Sequence, residues 1–532
     1  MPFRQHTLVA ASALALTALA APAHAEWLEA KSTHFTLVGD VSEQQIKRRV
    51  DRLERFDAMM RIILPGATQS NVPVLLVDTP ETARKLLGQP DSNILAYFRP
   101  SPFGDFAVSP VQTSSDLGIG AETVLFHEYV HHILLSSLDE PMPRWMSEGM
   151  AELFMTSRLE DDGGITIGIG NEARGYSLNR LGRWDVRRML ESDTRPPTRQ
   201  EVDQIYAKGW VTLHYLLFSG KRQGQFGKFL DALRKGVPQM QAGEQAFGDL
   251  GKFESELEYY RLRKSLPAVR VTPAQLKAAL GVTLRRLAPG EAAIMPARMQ
   301  SMVGVGPKTA GPLADASRAI GARFPDDAFV QRAIAEMEFD AKNFDLADQA
   351  IDRALAARPD YVDALCYKGF LIGNRARRES KPELWRAART AILKANRLAP
   401  DMALPFVLYY DTFAASGQVP NTSAVDGLLR AIVVQPTYGD LRTKVALRLI
   451  ETGDFARARS LLAGLAFAPH QSPDNAYAKL IGEIDKGTRG EALKAKIAEF
   501  KVAPFNLFDT SRIPAGGEAP DPKPPTAPKK DG

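Results

Sequence analysis

The chain has 532 residues, 45% of them hydrophobic and 24% charged, proportions that exclude a largely disordered or collagen-like protein and leave length for several domains. A formal net charge of +5 spread over this length is too mild for the concentrated basic face that nucleic acid requires, so no nucleic-acid partner is expected. The single cysteine, Cys366, excludes an intrachain disulfide and any cysteine-built zinc or iron–sulfur site, so a metal would have to be held by histidines and carboxylates.

Arg4, the apolar run Leu8–Ala21 and the small-x-small triplet Ala23-His24-Ala25 read as a secretory signal over residues 1–25, cut after Ala25. No later stretch reaches the ~18 uninterrupted apolar residues of a spanning helix. The mature chain is expected to carry no membrane span and to be periplasmic or secreted. Residues 26–265 read as an α+β domain. His34–Gly39 alternates as a strand ending in a turn, Val72–Val77 is a second strand, and a third lies around Ala107-Val108. Ser42 stands where it caps a helix in which Val50, Leu53, Phe56 and Met60 recur at helical spacing.

The helical segment Ala121–Leu138 contains His127-Glu128-Tyr129-Val130-His131. Histidines one turn apart leave the same face of a helix, so both imidazoles can hold one cation, and Glu128 beside them can act on water as a general base. A catalytic zinc site takes three protein ligands. Pro141-Met142-Pro143 breaks the helix, and a second one, Arg144–Phe154, can bring Glu148 back to the metal, with Glu152 as the alternative ligand. If Glu148 is the ligand, Glu152, one turn on, is placed to accept the free N–H of a ligand histidine and fix its tautomer. Zinc is the expected ion: two histidines and a carboxylate also suit iron(II), but a base beside the metal suits hydrolysis. His132 points ~100° away from the ligand face and reads as packing. His214 reads as a satisfied core histidine, Lys208 as an ordinary surface lysine, and Cys366 as inert core.

Residues 266–310, with Pro, Gly and short β-like pieces such as Val269-Arg270-Val271, read as a connector or small subdomain. Over 311–485 helical units recur. Ala335, Ala347, Ala354 and Pro359 are followed at corresponding positions by Ala364, Tyr367, Gly369, Ala388, Ala395 and Pro400, then by Ala424, Ala431 and Pro436, and more weakly by Ala458 and Pro469. The spacing is near the ~34-residue period of tetratricopeptide repeats, which place small residues where helices approach and close each unit with proline. Such arrays present a surface for protein segments, so a protein partner on the repeat surface is expected. Residues 486–511 read as a C-terminal helix and extension, and 512–532, rich in proline and lysine, as a disordered tail.

His127-Glu128-x-x-His131 followed by Trp145-x-x-Glu148-Gly149-x-Ala151-Glu152 resembles the gluzincin metallopeptidases. These include the thermolysin-like and aminopeptidase N types and exported bacterial peptidase-like proteins with attached tetratricopeptide repeats. The resemblance covers residues 26–265, with the repeats as a second match. It implies an α+β gluzincin-like metallopeptidase domain followed by an α-helical tetratricopeptide-repeat solenoid. It further implies a Zn2+ ion on His127, His131 and Glu148, Glu128 as general base, and hydrolysis of a peptide or protein substrate. Tyr206-Ala207-Lys208-Gly209-Trp210 is similar to the Tyr-x-Lys-Gly stretch of the aminopeptidase N type, which implies Tyr206 as donor to the oxyanion. That type also carries a Gly-x-Met-Glu-Asn strand whose Glu grips the substrate amine. Here Gly104-Asp105-Phe106-Ala107-Val108 lacks it, which favours internal cleavage over aminopeptidase action. A catalytically silent envelope scaffold working through its repeats, and a metal hydrolase acting on another bond, are the competing expectations.

Overall fold

In a computed structural model of the chain, the described residues are 26–64, 71–92, 94–111, 120–136, 143–171, 174–175, 178, 185–193, 199–467, 472 and 474–509. The expected signal, the Pro141-Met142 break, Pro469 and the tail 512–532 lie outside them.

After β1 (Glu26–Lys31) and β2 (Phe35–Val41), α1 (Glu43–Ile63) starts at Ser42, whose hydroxyl accepts the Gln45 N–H while the Gln45 side chain accepts the Ser42 N–H. There follow β3 (Val72–Val77), α2 (Pro80–Leu86), β4 (Tyr97–Arg99) and β5 (Phe106–Pro110). Next come α3 (Ala121–Ser136), α4 (Arg144–Phe154) and the hairpin of β6 (Arg158–Leu159) and β7 (Ile165–Ile167). Helices α5 (Val186–Leu190), α6 (Arg199–Phe218), α7 (Gln225–Arg234), α8 (Gln239–Phe247) and α9 (Leu250–Arg261) then lead to β8 (Val269–Val271), α10 (Pro273–Leu276), β9 (Thr283–Arg286) and α11 (Pro289–Val303).

Among the described residues the strands form a six-stranded mixed sheet, ordered β4-β5-β3-β2-β1-β9, and a three-stranded sheet, β6-β7-β8. In the larger sheet β2, β3 and β5 run parallel and the outer pairings are antiparallel. Side chains alternate between its faces. Phe35, Leu37, Val74 and Leu76 pack into the core that also takes α1, α3 and α4. Val38, Leu75, Val77 and Val108 pack on the other side with Met295, Met299 and Val303 of α11.

Residues 266–310 are thus built into this domain rather than standing between two others. β8 completes the small sheet, β9 pairs with β1 with Leu28 opposite Arg286, and α11 covers a sheet face. A sheet must bury its apolar faces and protect its edges, and these elements do both.

The remaining helices are α12 (Ala310–Arg323), α13 (Ala328–Asp340), α14 (Phe344–Ala357), α15 (Val362–Arg378), α16 (Leu384–Leu398), α17 (Ala403–Ala415), α18 (Thr422–Val434), α19 (Gly439–Thr452), α20 (Phe455–Ala466), α21 (Ala476–Asp485) and α22 (Gly490–Glu499). From α13 to α20 they pack as successive pairs, each pair against the next. Ala335, Ala347, Ala354, Ala364, Ala388, Ala395, Ala424, Ala431 and Ala458 have no exposed surface, as expected of small residues at close helix approaches. Gly369 works likewise: a Cβ there would stand 2.5 Å from Ile392.

Buried contacts join the two halves. Thr437 and Gln435 donate to the Asp105 carboxylate, Arg442 donates to the Leu135 carbonyl in the last turn of α3, and Phe103 rests on Tyr367 and Phe370 of α15. The stretch from Ser101 to Asp105 is therefore engaged with the repeats. Residues 502–509 fold back over α15, α17 and α19, so segments of this chain itself occupy the surface expected to take a partner. No helix among the described residues is long and apolar enough to cross a membrane.

Candidate metal centre

Phe126 of α3 stacks on Phe56 with ring centroids 4.0 Å apart, Tyr129 tilts onto Phe35 at 5.0 Å, and the Tyr129 hydroxyl donates to Asp57 Oδ1 at 2.7 Å. These anchors hold one side of α3 to α1 and the sheet, so His127 and His131 leave another side. Every residue of α4 is buried. It crosses α6 with backbones touching: a Cβ on Gly149 would stand 2.6 Å from the Gly209 carbonyl carbon, and one on Gly209 would overlap the Trp145 carbonyl oxygen. Only glycine at both positions allows this approach, which sets Glu148 beside Tyr206.

His127 Nε2 and His131 Nε2 are 3.2 Å apart, and Glu148 Oε2 is 3.4 Å from the latter and 3.7 Å from the former. Donors sharing a tetrahedral ion with bonds of ~2.0–2.1 Å stand ~3.3–3.4 Å apart. The three atoms, 3.2 to 3.7 Å apart, stand near that spacing, and two imidazoles with a carboxylate form a donor set suited to a divalent ion such as zinc. All three side chains are buried, and Glu148 is only 1% exposed, so a cation there would offset the hydration its carboxylate has lost.

Burial, then the neighbouring His131, pushes the His127 pKa down, leaving the neutral imidazole a ligand needs. Burial acts the same way on His131, but the charge and hydrogen bond of Glu148 raise it overall. A proton on His131 therefore competes with any ion. Glu128 is half-buried and adds its field to both imidazoles. Burial, then the Glu148 charge and hydrogen bond, raise Tyr206 well above the ordinary phenol value, so its hydroxyl keeps its proton and lies against Glu148. The Tyr206 ring is parallel to that of His127 at 6.5 Å, and the Arg174 guanidinium covers it at 4.9 Å.

The structure thus brings His127, His131, Glu148 and Tyr206 together, with Glu128 near enough for its charge to act on both imidazoles. Glu152 lies beside them, and its charge acts on His127. That carboxylate is 2.6 Å from Arg174 Nη2 and 2.8 Å from Asn171 Nδ2, but 3.8 Å from His127 Nδ1, beyond hydrogen-bond reach. Arg174 and Asn171 draw Glu152 away from both the histidine and the ligand position. His131 Nδ1 meets Ser147 Oγ at 3.2 Å instead, and His127 Nδ1 has no hydrogen-bond partner among the described residues. Sequence reasoning missed Ser147, Arg174 and Asn171. Ser147 had a signal, since it adjoins Glu148 on the helix facing α3; the other two had none.

His132 is buried against Phe98 and Tyr129, its pKa lowered to about 4 by burial and the Arg61 charge. His214 is fully buried, with Nδ1 2.9 Å from the Tyr260 hydroxyl and Nε2 2.9 Å from the Gly168 carbonyl. Lys208 is buried rather than on the surface, donating to Gln204 at 3.2 Å. Cys366 is buried, and burial raises its pKa. A second histidine–carboxylate group, absent from the sequence reading, sits beneath α3: His34 Nδ1 is 2.8 Å from Glu54 and 3.2 Å from Asp57. Arg61 already pairs with Asp57 at 2.7 Å, so this group is a self-contained ion-pair cluster that anchors Tyr129.

Residues 121–238, which span α3 to α7 and so all five of these side chains, match a family described as a protein of unknown function (DUF1570). No curated protein matches the chain. Among solved structures, a thermophilic tetratricopeptide-repeat protein from Thermus thermophilus aligns at 16% identity with a TM-score of 0.29, covering 40% of this chain and 100% of its own.

Proposed function

We propose that the protein is an exported zinc-dependent hydrolase of peptide bonds, with His127, His131 and Glu148 as ligands, Glu128 as general base and Tyr206 as oxyanion donor. The observation that supports this most is the close triangle of His127 Nε2, His131 Nε2 and Glu148 Oε2 with a carboxylate base on the same helix. A divalent ion held there supplies Lewis acidity, polarising a carbonyl and making water acidic near neutral pH. Glu128 accepts the proton of the attacking water and hands it to the leaving amine. The Tyr206 hydroxyl, protonated at any working pH, turns from Glu148 to the developing oxyanion; losing one such donor costs ~10²–10³ in rate. Ser147 keeps His131 oriented, and Arg174 braces the Tyr206 ring while neutralising Glu152.

A second reading, an interaction scaffold, is favoured by the long helical array with chain segments seated on it. One experiment separates the two. Metal analysis of the purified mature protein is expected to give about one zinc per chain, lost in His127→Ala. Glu128→Gln is expected to keep the zinc and abolish cleavage of a peptide library. A folded wild type without metal, or unchanged turnover in Glu128→Gln, overturns the enzymatic reading and leaves the scaffold.

A further inference from the structure

Beyond α22 the chain adopts no helix or strand from Val502 to Asn506, yet it is held tightly. Phe508 has no exposed surface. Its ring fills a hole that exists because residue 373 is glycine: a Cβ on Gly373 would overlap it. Trp385 meets the ring edge-on at 5.3 Å and Phe370 stacks at 6.1 Å. The main chain is read as well. The Leu507 N–H donates to Asp411 Oδ2 at 2.9 Å, Lys444 donates to the Phe505 carbonyl, and Arg377 Nη1 donates to the Phe508 carbonyl at 3.1 Å. Arg377 also pairs with Asp509 at 3.2 Å.

Asp411 and Lys444, 3.1 Å apart, are both buried. Two charges inside a helical array cost solvation that apolar packing would not. Here each charge also meets a backbone group of the returning segment. Main-chain hydrogen bonds joined to pockets for alternate side chains are how peptide-binding surfaces work.

We propose that the face lined by α15, α17 and α19 is a recognition groove for an extended peptide of the pattern Phe-x-apolar-Phe-acid, with Phe505–Asp509 as its tethered resident. A short tether gives an intramolecular ligand an effective concentration of ~mM, so the intact chain shuts out a free peptide of similar strength. A partner protein carrying such a segment enters when the resident leaves.

The test uses full-length protein and a fluorescein-labelled peptide copying residues 500–509. Full-length Phe508→Ala, whose resident has lost its anchor, is expected to bind the peptide at least tenfold more tightly than wild type. Adding Gly373→Val to that variant, or Phe508→Ala to the peptide, is expected to abolish the gain. A folded Phe508→Ala chain that ignores the peptide, equal binding by both chains, or a gain that survives Gly373→Val overturns the proposal. Should the variant not fold, hydrogen exchange on wild type under millimolar unlabelled peptide decides. Faster exchange confined to 502–509 supports the groove, and unchanged protection there overturns it.

Discussion

Asp193 steadies the start of the helix that carries Glu148 without touching the His127–His131–Glu148 cluster. Pro143 gives α4 no side-chain cap, and Asp193 accepts the Arg144 N–H at 3.1 Å and the Gln239 amide at 2.8 Å. Burial raises its pKa to about 6. A carboxyl whose folded pKa lies above its unfolded value gives its full stability below about pH 4, and that stability is lost as pH rises through 6. Asp193→Asn keeps the acceptor for Arg144 without the charge, and Gln239, whose Oε1 has no partner among the described residues, can turn its amide to suit. The variant is expected to match wild type in Tm near pH 4 and to exceed it above pH 7. Thermal melts from pH 4 to 8 check this; a constant difference across that range removes Asp193 ionisation from the account. At this scale His127, Glu128 and His131 were legible in the sequence because their relation is local, one turn of one helix. Glu148 was legible through its place after the proline break. Glu152 could be placed near His127, but its closer partners, Asn171 and Arg174, come from a segment with no periodic pattern and were not legible.

Helix α4 meets α6 through a pair of glycines, and that crossing positions Glu148. With Gly149 and Gly209 in backbone contact, an added methyl has nowhere to go. Gly209→Ala is expected to cost ~1–3 kcal/mol of stability as an overpacked site. It should also weaken zinc binding, because Glu148 adjoins the contact. Gly311→Ala, on α12 where the new methyl meets no other element within 4 Å, is the control: it should leave zinc binding unchanged and should not lower stability. Melting curves and a chelator competition assay read the two effects. Lost stability with unchanged zinc affinity would show that the crossing does not set the ligand. The glycines stood within the quoted motifs, but no local rule pairs Gly149 with Gly209. Long periodic elements such as α1 and the repeat helices could be read from the sequence. β4, β6, β7 and β9 could not, since two to four residues are too few to show alternation.

The repeats are fastened to the domain that carries the His127–His131–Glu148 cluster rather than hung from it. Arg442, 2% exposed, donates from Nε to the Pro436 carbonyl at 2.5 Å, from Nη1 to the Leu461 carbonyl at 3.4 Å and from Nη2 to the Leu135 carbonyl. The last of these belongs to the terminal turn of α3, where a helix has unmet carbonyls and favours a cation. Arg442→Met leaves these acceptors dry at ~1–3 kcal/mol each. Calorimetry of the wild type is expected to show one unfolding transition and of the variant two, as the halves uncouple. A single, uniformly lowered transition would mean that the docking rests on other contacts. None of this was legible in the sequence, because the partners stand 307 positions apart and each looks ordinary in its own neighbourhood.

The pairing of β1 with β9 bears on biogenesis. Glu29 and Arg285, bridged across that ladder at 2.8 Å, are 256 positions apart. At ~5–20 residues per second, a ribosome needs on the order of tens of seconds to supply the missing neighbour. Loops of this size make for slow folding, since closure entropy is spent before the contact forms. Throughout that interval the first strand is adhesive, and a holding chaperone that shields it would raise the yield of native molecules.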